Sequence, residues 1–209
     1  MLVEAGAKVT DRGLPTMSIH AVEASGLLQE VGSVYRALGG ILPEPPARVG
    51  RWDAEIDGAA LELDEMLHFN RYRGRTLRSA IYQHLGGFRL REYRRWCDEH
   101  DVDCLKAGSY GGKWTNRSCE KHFGPGGSQG DLSGPGAPRW KQRAFYDFIK
   151  DLAPVALGVP MSRLSVWQPI EYGSQRHSIG QVLDRFGPSD PAWCAALREC
   201  VRVSTFIAT

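Results

Sequence analysis

Residues 51–73, RWDAEIDGAALELDEMLHFNRYR, decide the reading of this 209-residue chain. Asp57-Gly58 stands between two short alternating runs, the strongest short-range signal for a β-hairpin closed by a two-residue type I′ turn. Such a loop fixes the register: Ile56 faces Ala59, Glu55 faces Ala60, Ala54 faces Leu61, Asp53 faces Glu62 and Trp52 faces Leu63. Cross-strand partners share a face. One face therefore carries Trp52, Ala54, Ile56, Ala59, Leu61 and Leu63, and the other Arg51, Asp53, Glu55, Glu62 and Asp64.

Like charges placed directly opposite one another cost stability. Asp53 and Glu62 are such a pair, with Asp64 two positions further along the same side. Two readings fit. The acids line a solvated outer face and need no partner, or they converge as oxygen ligands for a hard divalent cation.

Outside the hairpin, composition is that of a globular protein, 42% hydrophobic and 24% charged, and the length suits one domain with elaborations. No apolar stretch of about 18 residues is present, which excludes a membrane-spanning helix. Residues 1–18 have no apolar signal core and read as a flexible lead-in, so a cytoplasmic location is expected. Five cysteines, an odd number, argue for thiols or metal ligands over a disulfide framework. Net charge is only +2, yet eight arginines between Arg71 and Arg95 face a single acid, Glu92.

Periodicity predicts a helix over 20–38 stopped by Gly39-Gly40, a proline-rich connector over 41–50, and helices over 76–84 and 90–99. A Gly/Pro-rich region leads to the clearest helix, 139–152. Its Trp140, Phe145, Phe148 and Ile149 stripe is expected to pack on the sheet across from Trp52, Leu61 and Leu63. Residues 163–168 alternate like a strand, and 173–209 form a helical C-terminal appendage.

The order Asp, hairpin, Glu-x-Asp, then His resembles the PD-(D/E)XK, or restriction-endonuclease-like, nuclease superfamily. It is most similar to the very-short-patch-repair-like branch, in which "E-x-D-G-x-x-H" follows the second motif strand. The matching residues are Glu62-Leu63-Asp64-Glu65-Met66-Leu67-His68, with Asp53 upstream. Glu65 replaces the usual Gly, and Asp64 stands where most of the superfamily has Lys. The order of elements over 21–170 also matches, provided that 41–49 supplies a first strand.

The resemblance implies an α/β fold: an αβββαβ core over 19–172, a mixed sheet flanked by helices, with a Cys/His- and Gly-rich insertion at about 86–138. It implies a nuclease that hydrolyses phosphodiester bonds in DNA, in defence or repair. Asp53, Glu62 and Asp64 would hold Mg²⁺ or Mn²⁺, which activates water and neutralises phosphate charge. His68 reads as general base, as a contact to the scissile phosphate, or as a hydrogen-bonded structural histidine. Glu30, on the leading helix, can reach the metal or simply face solvent.

Arg71, Arg73, Arg75 and Arg78, interleaved with aromatics, suit a phosphate backbone, and Lys141 and Arg143 are secondary candidates. Such runs also occur as solvated faces. Cys97-x-x-His100, Cys104 and Cys119-x-x-His122 have spacings compatible with a tetrahedral Zn²⁺ site; their other reading is as buried packing residues. The runner-up functions are a non-catalytic nucleic-acid-binding protein of the same fold, zinc-stabilised or not, and an RNA-directed nuclease. A homodimer is compatible with all three.

Overall fold

The computed structural model describes residues 1–9, 13–46, 49–186 and 188–207. Helices α1 (Ile19–Ala24) and α2 (Leu28–Ala37) precede the hairpin strands β1 (Ala54–Ile56) and β2 (Ala59–Asp64). A 3-10 turn at Met66–His68 leads to α3 (Arg71–Thr76), a second 3-10 stretch at Ala80–His84, and β3 (Leu85–Gly86). Then come α4 (Leu90–Glu99), α5 (Asp101–Gly108), a 3-10 turn at Gly111–Lys113, α6 (Arg117–Phe123), α7 (Pro138–Asp151) and α8 (Ala153–Ala156). The last elements are β4 (Met161–Ser165), β5 (Pro169–Tyr172), β6 (Gln175–Ser178), α9 (Ile179–Arg185), α10 (Pro191–Cys200) and β7 (Thr205–Phe206).

The hairpin forms in the expected register, Ala54 with Leu61, Glu55 with Ala60 and Ile56 with Ala59. Asp57 and Gly58 both adopt positive φ, 52° and 82°, as a type I′ turn requires. Strand β4 pairs parallel to β2, with Glu62 opposite Arg163 and Asp64 opposite Ser165. The result is a small mixed sheet, β1-β2-β4, flanked by helices. The expected first strand over 41–49 does not form among the described residues; residues 47 and 48 lie outside them. In its place, isolated bridges extend the sheet, Val9 beside Ile56 and Ser204 beside Met161.

Two cores result, one on each face of the sheet. On one side, Ala60, Met161 and Trp52 pack with Trp140, Phe145, Phe148 and Ile149 of α7, together with residues from α2 through α6. On the other, Ile56, Leu61 and Leu164 pack with Ile179, Val182 and Trp193 from α9 and α10, and Leu63 packs at its margin. This corrects one expectation. Helix α7 meets Trp52 but not Leu61 or Leu63, because it covers the face that carries Glu62 and Asp64.

The single helix expected over 20–38 is broken at Gly26 (φ 73°) into α1 and α2. No helix among the described residues is long and apolar enough to cross a membrane.

Candidate active site

Helix α7 has two buried sides. Its aromatic stripe fills the core, and Asp147, Lys150 and Asp151 are carried against the acidic face of β2. Lys150 Nζ donates to Glu62 Oε1 at 2.6 Å and to the Arg51 carbonyl at 3.0 Å. Burial pushes the Glu62 carboxyl up to about 7, outweighing Arg163 and Lys150, which lower it; nearby Asp53 adds to the rise. Its charge is therefore balanced near neutrality.

Two positions along β2, Asp64 is buried and turned inward. Its Oδ1 lies 2.5 Å from Arg163 Nη1, and its Oδ2 accepts from the Tyr93 hydroxyl at 2.6 Å. Arg163 also donates through Nε to Asp151 Oδ1 at 2.5 Å and through Nη2 to the Asp147 carbonyl at 3.1 Å. The second Asp151 oxygen receives Arg73 Nη2 at 2.7 Å and the Tyr82 hydroxyl at 2.5 Å. Desolvation and attraction nearly cancel in such clusters, whereas removing one member leaves an uncompensated buried charge.

His68, on the 3-10 turn after β2, closes this network. Its Nδ1 sits 2.8 Å from Asp147 Oδ2 and 3.4 Å from Asp64 Oδ1. Burial opposes the imidazolium and Arg143 repels it, but the Asp147 and Asp64 carboxylates prevail and raise the His68 pKa. The same contacts hold Asp147 well below the usual carboxylate range despite its burial. Anchoring Nδ1 on a carboxylate fixes the ring of a residue that lines the adjoining cleft, and leaves Nε2 as the ring nitrogen not engaged by Asp147.

That cleft has a volume of about 530 Å³ and is lined by Asp53, Glu62, Glu65, His68 and Asp147 together with Arg139, Arg143 and Lys150. Asp53 is exposed just before β1, and its Oδ2 accepts the Leu63 N–H at 2.8 Å. Of the three acids expected to hold metal, Asp53 and Glu62 line the cleft. Asp64 does not; it is committed to Arg163 and Tyr93. Glu30 lies half-buried in the first turn of α2, outside the cleft lining.

Among the described residues, one group of three or more His, Cys, Asp or Glu has ligand atoms within 4.8 Å of one another: Asp64, His68 and Asp147. Asp147 was not among the sequence candidates. The Arg163 guanidinium already serves this group as cation, at 2.5 Å from Asp64 and 3.7 Å from Asp147.

The structure does not gather the Cys/His set expected for zinc. Cys119 Sγ sits 3.0 Å from the Asn116 N–H within the cap of α6. His122 pairs with Gln142, and His100 stacks on Trp167 at 3.7 Å with its Nδ1 near Asp103. Burial pushes the Cys97 and Cys104 thiols up to about 12, the behaviour of packed, protonated sulfur.

The basic residues divide. Arg73 cannot reach phosphate, since Asn70 caps α3 and turns its side chain into the network with Asp151. Arg71, Arg75 and Arg78 line a separate cleft of about 620 Å³ with Arg94, Asp98 and Asp101. There Arg71 Nε and Nη2 both donate to Asp101 Oδ2, at 3.0 and 2.7 Å. Lys141 is buried over the Tyr72 ring at 5.7 Å, and burial lowers its pKa. Arg143 alone of the six lines the acidic cleft.

No curated protein and no solved structure matches the chain. One family model, described as a family of unknown function (DUF7255), matches residues 33–185. These residues include every one that lines the acidic cleft. The chain belongs to the DUF7255 family.

Proposed function

We propose that the chain is a metal-dependent nuclease that hydrolyses phosphodiester bonds in DNA on a restriction-endonuclease-like core. The observation that carries this reading is the meeting, in one cleft, of two carboxylates from the hairpin (Asp53 and Glu62), a carboxylate-anchored histidine (His68 on Asp147) and the cations Arg143 and Lys150. The order helix, hairpin, long helix, parallel strand supports the same fold assignment.

Asp53 and Glu62 both offer oxygen donors of the kind a hard divalent ion takes, and such an ion would displace the Lys150 ammonium that now lies 2.6 Å from Glu62. Asp53 and Glu62 would hold Mg²⁺ or Mn²⁺, which would supply a Lewis acid for the charge that develops on the phosphate oxygens. His68 Nε2 takes the proton of the attacking water, whose oxygen bonds to phosphorus as the bond to the leaving oxygen breaks, and the leaving oxygen takes a proton from solvent water. Asp147 keeps the imidazole oriented and stabilises its charge. Lys150 supplies the cation that most of the superfamily places on the second motif strand, where this chain has Asp64.

The second reading is a nucleic-acid-binding protein without turnover. It is favoured by one observation, that Asp64 is locked between Arg163 and Tyr93 and Glu62 is paired with Lys150. Cleavage of end-labelled DNA and RNA with Mg²⁺ or Mn²⁺ separates the readings. A metal-dependent cut in DNA supports the first, a cut confined to RNA reassigns the substrate, and binding without cleavage supports the second.

A further inference from the structure

Beside the acidic cleft lies a smaller cavity of about 130 Å³ that no part of the proposed chemistry uses. It is lined by Gly112, Lys113, Arg139 and Arg143 over an apolar floor of Leu67 and Trp140. Arg139 and Arg143 line both spaces, so the two adjoin. Three cationic residues line it, and among the described residues no carboxylate does.

Each wall is held in place. The Gly111–Lys113 turn is tied to α7 by the Trp140 indole N–H, which donates to the Lys113 carbonyl at 3.0 Å. The Lys113 ammonium lies 4.6 Å over the Tyr110 ring and 2.7 Å from its hydroxyl. A Cβ on Gly112 would meet nothing within 4 Å, so the backbone is open to close approach. Arg139 spends one nitrogen on Gln142, a neutral partner.

Arg143 carries its charge at the wall of this cavity without an ion-pair partner among the described residues, and its enclosed Nη1 makes no hydrogen bond among them. A guanidinium left without a counter-charge at a cavity wall favours an anion in that cavity. Arginine is the side chain best suited to phosphate oxygens.

We propose that Lys113, Arg139 and Arg143 form a subsite for a flanking phosphodiester of the nucleic-acid strand whose scissile group occupies the acidic cleft. This inference rests on the nuclease-like reading of that cleft for its substrate class, but not on turnover. The subsite holds backbone and reads no base, so its contribution is independent of sequence.

The test is equilibrium binding of a fluorescein-labelled DNA oligonucleotide in EDTA, where nothing is cut, over a range of salt concentrations. Each phosphate contact releases counterions, so Lys113→Ala and Arg143→Ala should each reduce the slope of log affinity against log salt by about one and weaken binding several-fold at low salt. Arg143→Lys should restore much of the slope. Lys113 is exposed, so its variant tests the subsite even if Arg143→Ala fails to fold. Unchanged slopes in Lys113→Ala and in a folded Arg143 variant, or a wild type that does not bind, would overturn the proposal. Failure of the nuclease reading looks different: binding with intact slope effects, and no cleavage when Mn²⁺ is added.

Discussion

Lys150 on α7 and Glu62 on β2 meet at 2.6 Å inside the cleft, which places a titrating carboxyl and a cation at the same point. Burial lifts Glu62 from its ordinary value of 4.5 to about 7. Because the folded value is the higher, the native state binds more protons than the unfolded chain between these limits. The stabilisation is complete below pH 4.5 and is lost as pH rises through about 7, a change of roughly 3 kcal/mol. Urea unfolding at pH 5 and pH 8 should therefore show Glu62→Gln losing this part of the pH dependence. A variant as pH-sensitive as the wild type would refute the assignment.

His68 titrates in the same sense through a different cause. The Asp147 and Asp64 carboxylates outweigh burial, so protonated His68 stabilises the fold below its ordinary value of 6.5, and that contribution fades above its raised value. Asp147→Asn should move the His68 resonance, followed by NMR, to lower pH, and should shift the acidic limb of cleavage the same way. His68→Ala should cut the rate by about 10²–10⁴-fold. An unmoved His68 titration in Asp147→Asn would show that the 2.8 Å contact does not set its charge.

Arg73 belongs to the fold. Its guanidinium is buried against Asp151, Tyr82 and Thr76, so Arg73→Ala should destabilise by about 3–5 kcal/mol, because Asp151 then keeps only one cation, Arg163, which it shares with Asp64 and Asp147. Chemical denaturation measures this. A variant of wild-type stability that instead lost only DNA affinity would restore Arg73 to the phosphate-binding set.

Phe148 is fully buried in the α7 core. Phe148→Ala should cost about 3–5 kcal/mol, read as a fall in the unfolding midpoint. An unchanged midpoint would mean that the aromatic stripe of α7 does not form the main core.

The hairpin was legible because its signals are local: Asp57-Gly58 chooses the turn, and the turn sets the register. Helix α7 was legible from Pro138 and its apolar spacing, and the structure moves its limits by one residue, to Pro138–Asp151. Asp147 and Asp151 were not legible. Acids four apart on a helix ordinarily face water, and what buries them is Arg73 and Arg163, 78 and 12 residues from Asp151. Arg73 was not separable from its neighbours by residue type, since all four arginines of the run look alike in sequence; the Asn70 cap starts a helix that points Arg73 inward. The cysteines looked like ligands by spacing, but α5 and α6 carry Cys104 and Cys119 into separate packing environments. One clue to Asp147 was available, its place between Tyr146 and Phe148 in the most aromatic helix of the chain.

The most direct test of the central claim is cleavage of supercoiled plasmid DNA in Mn²⁺ or Mg²⁺ by wild type, Asp53→Asn and Glu62→Gln, with folding of each checked by thermal melting. The account predicts metal-dependent nicking by the wild type, its loss in both variants, and retained DNA binding in EDTA. Wild-type cleavage in both folded variants, or a wild type that binds DNA and cuts none with either metal, would contradict it.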